Sequence, residues 1–231
     1  MVTATPLGYA DLPRLFERMS GDEKHDPSSL STRDVLWVLY DRVLEDEDRF
    51  LLSKGHGPMA FYAVLAAKGY FPEEWLDDFG SFDSPLGHHP DRTLVPGVEI
   101  SSGSLGHGLP LAVGTALGLR AQGIDARVVV LVGDAELDEG SNHEALELAA
   151  ALGLDALTVV VIDNRTTSYA VPGRIADRFA TEGWQVETVD GRDQVALERA
   201  LTTRSHGVPN VVVATVLDPS TGTGRREEVA A

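Results

Sequence analysis

No cysteine occurs among the 231 residues. Disulfides, thiolate nucleophiles and cysteine-ligated zinc or iron–sulfur sites are therefore excluded. Basic residues are scarce: 19 Lys and Arg stand against 36 Asp and Glu, a formal charge of -17. Phosphate backbones and anionic lipid both need basic patches, so this balance argues against a nucleic-acid partner and against a membrane surface. Long hydrophobic runs are missing too. The longest, residues 128–132 and 159–162, are far too short to span a bilayer. The opening stretch MVTATPLGYADLPRLF has no basic segment followed by an apolar one. It does not read as a signal peptide, and a cytoplasmic location is the expectation. No repeat stands out at solenoid or propeller periods. What is present is an ordinary globular composition, 43% hydrophobic and 24% charged, in a chain long enough for one substantial core.

Residues 7–69 carry a helical pattern. Within it Ser31-Thr32-Arg33-Asp34 reads as a capping box ahead of Val35, Leu36, Val38 and Leu39. Residues 80–103 are rich in Gly, Pro, Asp and His and read as a long irregular loop, a common home for function. From residue 105 the pattern alternates. Helices are predicted over 105–121, 143–152, 175–182 and 194–202, and strands over 127–132, 157–162, 185–189 and 210–216. Strands alternating with helices of this length imply βαβ units. The expected fold class is α/β, three layers deep, around a mostly parallel sheet. One domain is expected over residues 1–218: a helical part (1–80), a loop (80–104) and a sheet core (105–216). The polar, Gly-rich stretch 219–231 reads as a flexible tail.

Ligands of open α/β sheets bind beyond the carboxyl ends of the strands. Three predicted strands end in polar turns: Gly133-Asp134-Ala135, Asp163-Asn164-Arg165-Thr166 and Asp190-Gly191. Loops use such residues anyway. However, Asp134 and Asn164 close successive strands and could meet at one point. A carboxylate, an amide oxygen and a loop carbonyl are hard ligands suited to Mg²⁺ or Ca²⁺. A helix starting near Gly140, and the glycine-rich stretch Gly103-Ser104-Leu105-Gly106-His107-Gly108, could aim N–H groups at an anion held there. The glycine order is not that of a dinucleotide site, and a loop rather than a strand leads into it.

Gly133-Asp134 followed by Asn164 resembles the thiamine-diphosphate motif of transketolases, and the likeness extends over residues 20–216. Ser53-Lys54-Gly55-His56-Gly57 is similar to that family's S-x-G-H segment, and Leu86-Gly87-His88-His89-Pro90 to its L-G-x-H-P segment. Pro96-Gly97-Val98-Glu99 and the stretch from Gly103 to Gly108 resemble the P-G-V-D/E and T-G-x-L-G-H/Q-G segments. Asp138-Glu139-Gly140, Glu144-Ala145, Gly183-Trp184-Gln185-Val186 and Val189-Asp190-Gly191 follow in the family's order. The resemblance implies a thiamine-diphosphate-binding fold that transfers a two-carbon ketol unit from a ketose phosphate donor to an acceptor. It implies that Asp134, Asn164 and the carbonyl of Thr166 hold the metal. Gly103, Ser104, Leu105, Gly133 and Ala135 would line the diphosphate. His56 and His89, with His25 of a segment similar to H-P-G-G-S-L, would face thiazolium and substrate. Glu139 and Glu144 would lie near a subunit interface.

The chain departs from the family's pattern at four places. G-D-G is Gly133-Asp134-Ala135, and the N-N-G-x-x-I-D-G stretch is replaced by Asn164-Arg165-Thr166-Thr167-Ser168-Tyr169. No K-G-x-G segment with its later histidine follows the last strand; Leu217-Asp218-Pro219-Ser220 stands there. No pyrimidine-binding domain, with its cofactor-activating glutamate, fits in this length. The expected partner is therefore a chain carrying that domain, in an α2β2 assembly. Two alternatives stay open: half of another thiamine enzyme, such as a 2-oxo acid dehydrogenase or a deoxyxylulose-phosphate-type synthase, and a non-catalytic regulatory partner of the same fold.

Overall fold

The computed structural model of the chain describes residues 7–166 and 173–216. Five strands form one sheet in the order β1-β2-β3-β5-β4. They are β1 (Arg49–Leu52), β2 (Val128–Gly133), β3 (Leu157–Asp163), β4 (Gln185–Asp190) and β5 (Asn210–Thr215). All four pairings are parallel, with Leu52 opposite Leu131 and Gly133 opposite Ile162. The described α-helices are α1 (Leu12–Glu17), α2 (Asp26–Leu30), α3 (Arg33–Val38), α4 (Met59–Ala67), α5 (Gly108–Gln122), α6 (Gly140–Ala151), α7 (Arg174–Thr181) and α8 (Gln194–Thr202). No described helix is long and apolar enough to cross a membrane.

The central strands are continuous runs of Val, Leu and Ile because both of their faces are buried. Side-chain alternation divides them between two cores. Phe50, Leu52, Val129, Leu131, Val160, Ile162 and Val212 face α3, α4 and α8. Leu51, Val128, Val130, Val132, Val159, Val161 and Val213 face α5, α6 and the Phe179 of α7. The expected three-layer α/β/α arrangement is therefore present, with four strands within a residue of their predicted bounds.

Two expectations are corrected. The helical reading of residues 7–69 breaks at β1, which adds a fifth strand to the sheet. The run Arg49-Phe50-Leu51-Leu52 is too short for its periodicity to separate strand from helix. The capping box also fails. Thr32, the residue before α3, has helical backbone angles (φ -97°, ψ -12°) and makes no side-chain cap. Because α2 runs almost directly into α3, N–H groups at the junction find carbonyls in the preceding turn, as Thr32 N does in Ser29 O (3.0 Å). Ser31 Oγ and Thr32 Oγ1 donate back to Ser28 O and Ser29 O instead. Asp34, freed from capping, is buried and accepts from Tyr9, Arg192 Nη1 (2.8 Å) and Gln194 Nε2 (3.3 Å), tying α3 to α8.

Candidate active site

Strand order decides which polar turns meet. The carboxyl ends of β1, β2 and β3 are neighbours, so Ser53-Lys54-Gly55-His56, Gly133-Asp134 and Asp163-Asn164 open into one crevice. The third predicted turn does not join them. β5 stands between β3 and β4, and there Asp190 Oδ1 accepts from Arg192 N (2.8 Å) in a local turn.

Asp134 is 3% exposed at the end of β2. Its Oδ1 accepts from Ala135 N (2.8 Å) and lies 2.6 Å from Thr166 Oγ1; its Oδ2 accepts from Thr166 N (2.8 Å). Asn164 Oδ1 lies 2.9 Å from the same hydroxyl. The carboxylate and amide oxygens thus converge within reach of one atom. Arg165 makes this possible: with φ 59° it is the only non-glycine residue with positive φ among those described. That left-handed turn costs about 1–2 kcal/mol and folds Thr166 back onto Asp134. Thr166 meets Asp134 through its N–H and hydroxyl, where the sequence had suggested its carbonyl as a ligand. Ala135 sits in the turn after Asp134 without positive φ, so the methyl group replacing the family's glycine causes no strain. Among the described residues no three His, Cys, Asp or Glu side chains are grouped as a metal site. Any donor set at this corner is one carboxylate, one amide and Thr166, a hard oxygen set.

Beneath this corner lies a polar floor. Glu136, 2% exposed, accepts from Ser53 Oγ, Gly106 N (3.0 Å) and Gly133 N (3.2 Å). Ser53 Oγ in turn accepts from Gly108 N (3.0 Å) at the start of α5. One buried carboxylate thereby ties the ends of β1 and β2 to the glycine-rich stretch. Lys54 runs past Gly133 and donates from Nζ to Ser28 O (2.8 Å) and Ser28 Oγ (2.7 Å). Burial lowers its pKa to about 8, against the opposing pull of Asp134 and Glu136.

The three predicted histidines stand in a row. Ring centroids are 5.9 Å apart between His25 and His56 and 5.7 Å between His56 and His89. His89 lies over Gly103, where an added Cβ would stand 3.0 Å from its ring. Gly57 holds φ +62° with the position of a Cβ only 2.8 Å from His25 O, so the loop after β1 packs directly on α2. Burial, then the charges of His89, His25 and Lys54, push the His56 pKa below its ordinary value; Asp22 opposes them. Such imidazoles can exchange protons with substrate oxygens. Ser104 and Leu105 are exposed beside this row, with Ser104 Oγ 2.9 Å from His107 Nδ1. Glu139 and Glu144 are solvent-exposed at the start of α6. Residues 167–172, where the sequence departs from the expected loop, and 217–231 lie outside the described residues.

A family model, the transketolase thiamine diphosphate binding domain, matches residues 38–221. The chain belongs to the transketolase family. Among curated relatives, a protein of Rhodococcoides fascians named ferredoxin fas2 is 54% identical over 222 residues, covering 92% of this chain and 73% of that one. The cysteine ligation of a ferredoxin-type cluster has no counterpart in the present 231 residues. One of the named subunits of an apulose-4-phosphate transketolase from Actinobacillus succinogenes is 35% identical over 206 residues, covering 82% of this chain and 75% of that one. A solved transketolase from Leishmania mexicana superposes with a TM-score of 0.74 at 25% identity, over 91% of this chain and 37% of that one. The chain therefore spans little more than a third of that transketolase's length.

Sequence reasoning missed three side chains of this transketolase-family site: Lys54, Glu136 and Asp22. The first two stand inside or beside motifs it quoted. Asp22 precedes His25 by one helical turn, a spacing at which side chains meet.

Proposed function

We propose that this chain is the thiamine-diphosphate- and metal-binding half of a transketolase-like enzyme, which moves a two-carbon ketol unit from a ketose phosphate to an acceptor. The observation that carries the reading is the convergence of Asp134, Asn164 and Thr166 oxygens in the crevice that the His25–His56–His89 row borders. The site fits such a cofactor. Its oxygens are the donors Mg²⁺ or Ca²⁺ takes alongside a diphosphate. The stretch around Gly103 packs so closely on Gly55 that a Cβ on Gly55 would come 2.7 Å from Gly103 N, leaving backbone rather than side chains to line the anion. When bound, the cofactor supplies the thiazolium that stabilises a carbanion.

The protein's own residues bind, orient and move protons. Asp134, Asn164 and Thr166 would hold the metal, and Gly103, Ser104, Leu105, Gly133 and Ala135 would line the diphosphate. His25, His56 and His89 would donate to and accept from the hydroxyl and carbonyl oxygens of donor and acceptor. A chain bearing the pyrimidine-binding domain would close the opposite side in an α2β2 assembly. Relatives named as single subunits of a transketolase support that reading.

The test is a thermal shift of the chain, alone and assembled, with thiamine diphosphate and Mg²⁺. At about a hundred times its dissociation constant the ligand should add roughly 2.7 kcal/mol. Asp134→Ala should abolish the shift. No shift in either form would sink the reading. Pyruvate consumed in place of ketose phosphates by the assembled enzyme would move it to another thiamine class.

A further inference from the structure

Asp22 lies outside every strand end, yet its side chain is only 4% exposed. Oδ1 lies 2.6 Å from His25 Nδ1. Oδ2 is buried without a hydrogen bond of normal geometry and faces His88 Nδ1 at 3.4 Å. A carboxylate removed from water is costly unless donors or charge oppose the loss. Here burial would raise the Asp22 pKa, but the bond and charge of His25, followed by those of His88, outweigh it and hold the group below its ordinary value. The side chain is therefore a carboxylate answered by one imidazole on each oxygen.

The consequence falls on His25. An ionised carboxylate only accepts, so Nδ1 must carry a proton and the neutral ring keeps its lone pair on Nε2. His25 then meets the crevice as a proton acceptor of fixed tautomer, beside His56. His88 is the outer anchor. Its side chain is 51% exposed, but its ring stands edge-on to Phe79 at 5.3 Å and rests on Gly80. The groups acting electrostatically on the neighbouring His56 are His89, His25, Lys54 and Asp22.

We propose that Asp22 is a positioning residue, which fixes His25 in the Nδ1–H tautomer and is itself held by His88. The inference rests on the reading of His25 as a group that moves protons in ketol transfer. Its first test does not need the reaction. Long-range ¹H–¹⁵N spectra of the full chain, recorded where imidazoles are neutral, should show His25 as Nδ1–H, and Asp22→Ala should shift it toward the Nε2–H form of free imidazole. A wild-type His25 protonated on Nε2, or an Asp22→Ala chain with the same tautomer, overturns the proposal even if cofactor binding and turnover are confirmed. In the assembled enzyme, Asp22→Ala should lower kcat by about tenfold or more, the scale of lost proton transfer, with the cofactor Kd and donor KM nearly unchanged. His88→Phe should reproduce part of that loss and His88→Gln, which can still donate, should restore it. Equal losses of cofactor binding and kcat would overturn the positioning role. A His88→Phe enzyme indistinguishable from wild type would overturn the anchor.

Discussion

Lys54 is the residue of the candidate site whose chemistry burial alters strongly. Burial lowers its folded pKa from 10.5 to about 8. Between those values the unfolded chain still holds a proton that the folded chain has released. Stability therefore rises with pH across this window and is lower beneath it. The rise should be up to about 3 kcal/mol in urea titrations, and Lys54→Met should flatten it. A wild-type curve already flat from pH 8 to 10.5 would show that the amine is solvated. At this scale the meeting of Asp134 and Asn164 was legible in the sequence, because both sit where strands must end. Lys54, Glu136 and Asp22 stayed hidden, because a charged side chain in a Gly-rich or helical segment ordinarily faces water. Only the folded chain turns Glu136 and Asp22 inward and runs Lys54 across to Ser28.

Elements were readable in proportion to their length and regularity. Four strands and the helices between them follow from alternation, while β1 did not, and β1 is the strand that delivers His56. The structure makes this short element depend on α2 through Gly57. Gly57→Ala must hold a left-handed backbone and also overlap His25 O, which lies 2.8 Å from the new methyl position. Gly69→Ala faces a similar φ (+77°) with nothing within 4 Å. Urea denaturation should show a loss of about 1–2 kcal/mol for Gly69→Ala and a clearly larger one for Gly57→Ala. Equal losses would mean that the loop after β1 is not seated on α2. The failed capping box has the same origin. Local sequence marked Asp34 as a helix-end residue, but the contact with Arg192 on the far side of α3 is non-local, and no short pattern contains it.

At the scale of the whole molecule, charge and exposed apolar surface face outward. The chain carries -17 and spans about three quarters of the transketolase subunits from Actinobacillus succinogenes and Clostridium that it matches. Glu139 and Glu144 lie exposed at the start of α6, and Leu111 and Leu148 stand uncovered at 49% and 47% exposure on α5 and α6. If this face meets the partner, Glu139→Arg should reduce the assembled fraction seen by light scattering while leaving the melting temperature of the isolated chain unchanged. Assembly equal to wild type would place the interface elsewhere. The connection between β1 and α5 has a different kind of consequence. His56, His89 and the Gly103–Leu105 turn all lie on it, whereas Asp134 and Asn164 follow directly on β2 and β3. Two of the three clustered histidines and the oxygens that converge on Thr166 are thus written on separate stretches of the gene. A change at His56 or His89 therefore leaves the carboxylate and amide at the ends of β2 and β3 untouched in the sequence.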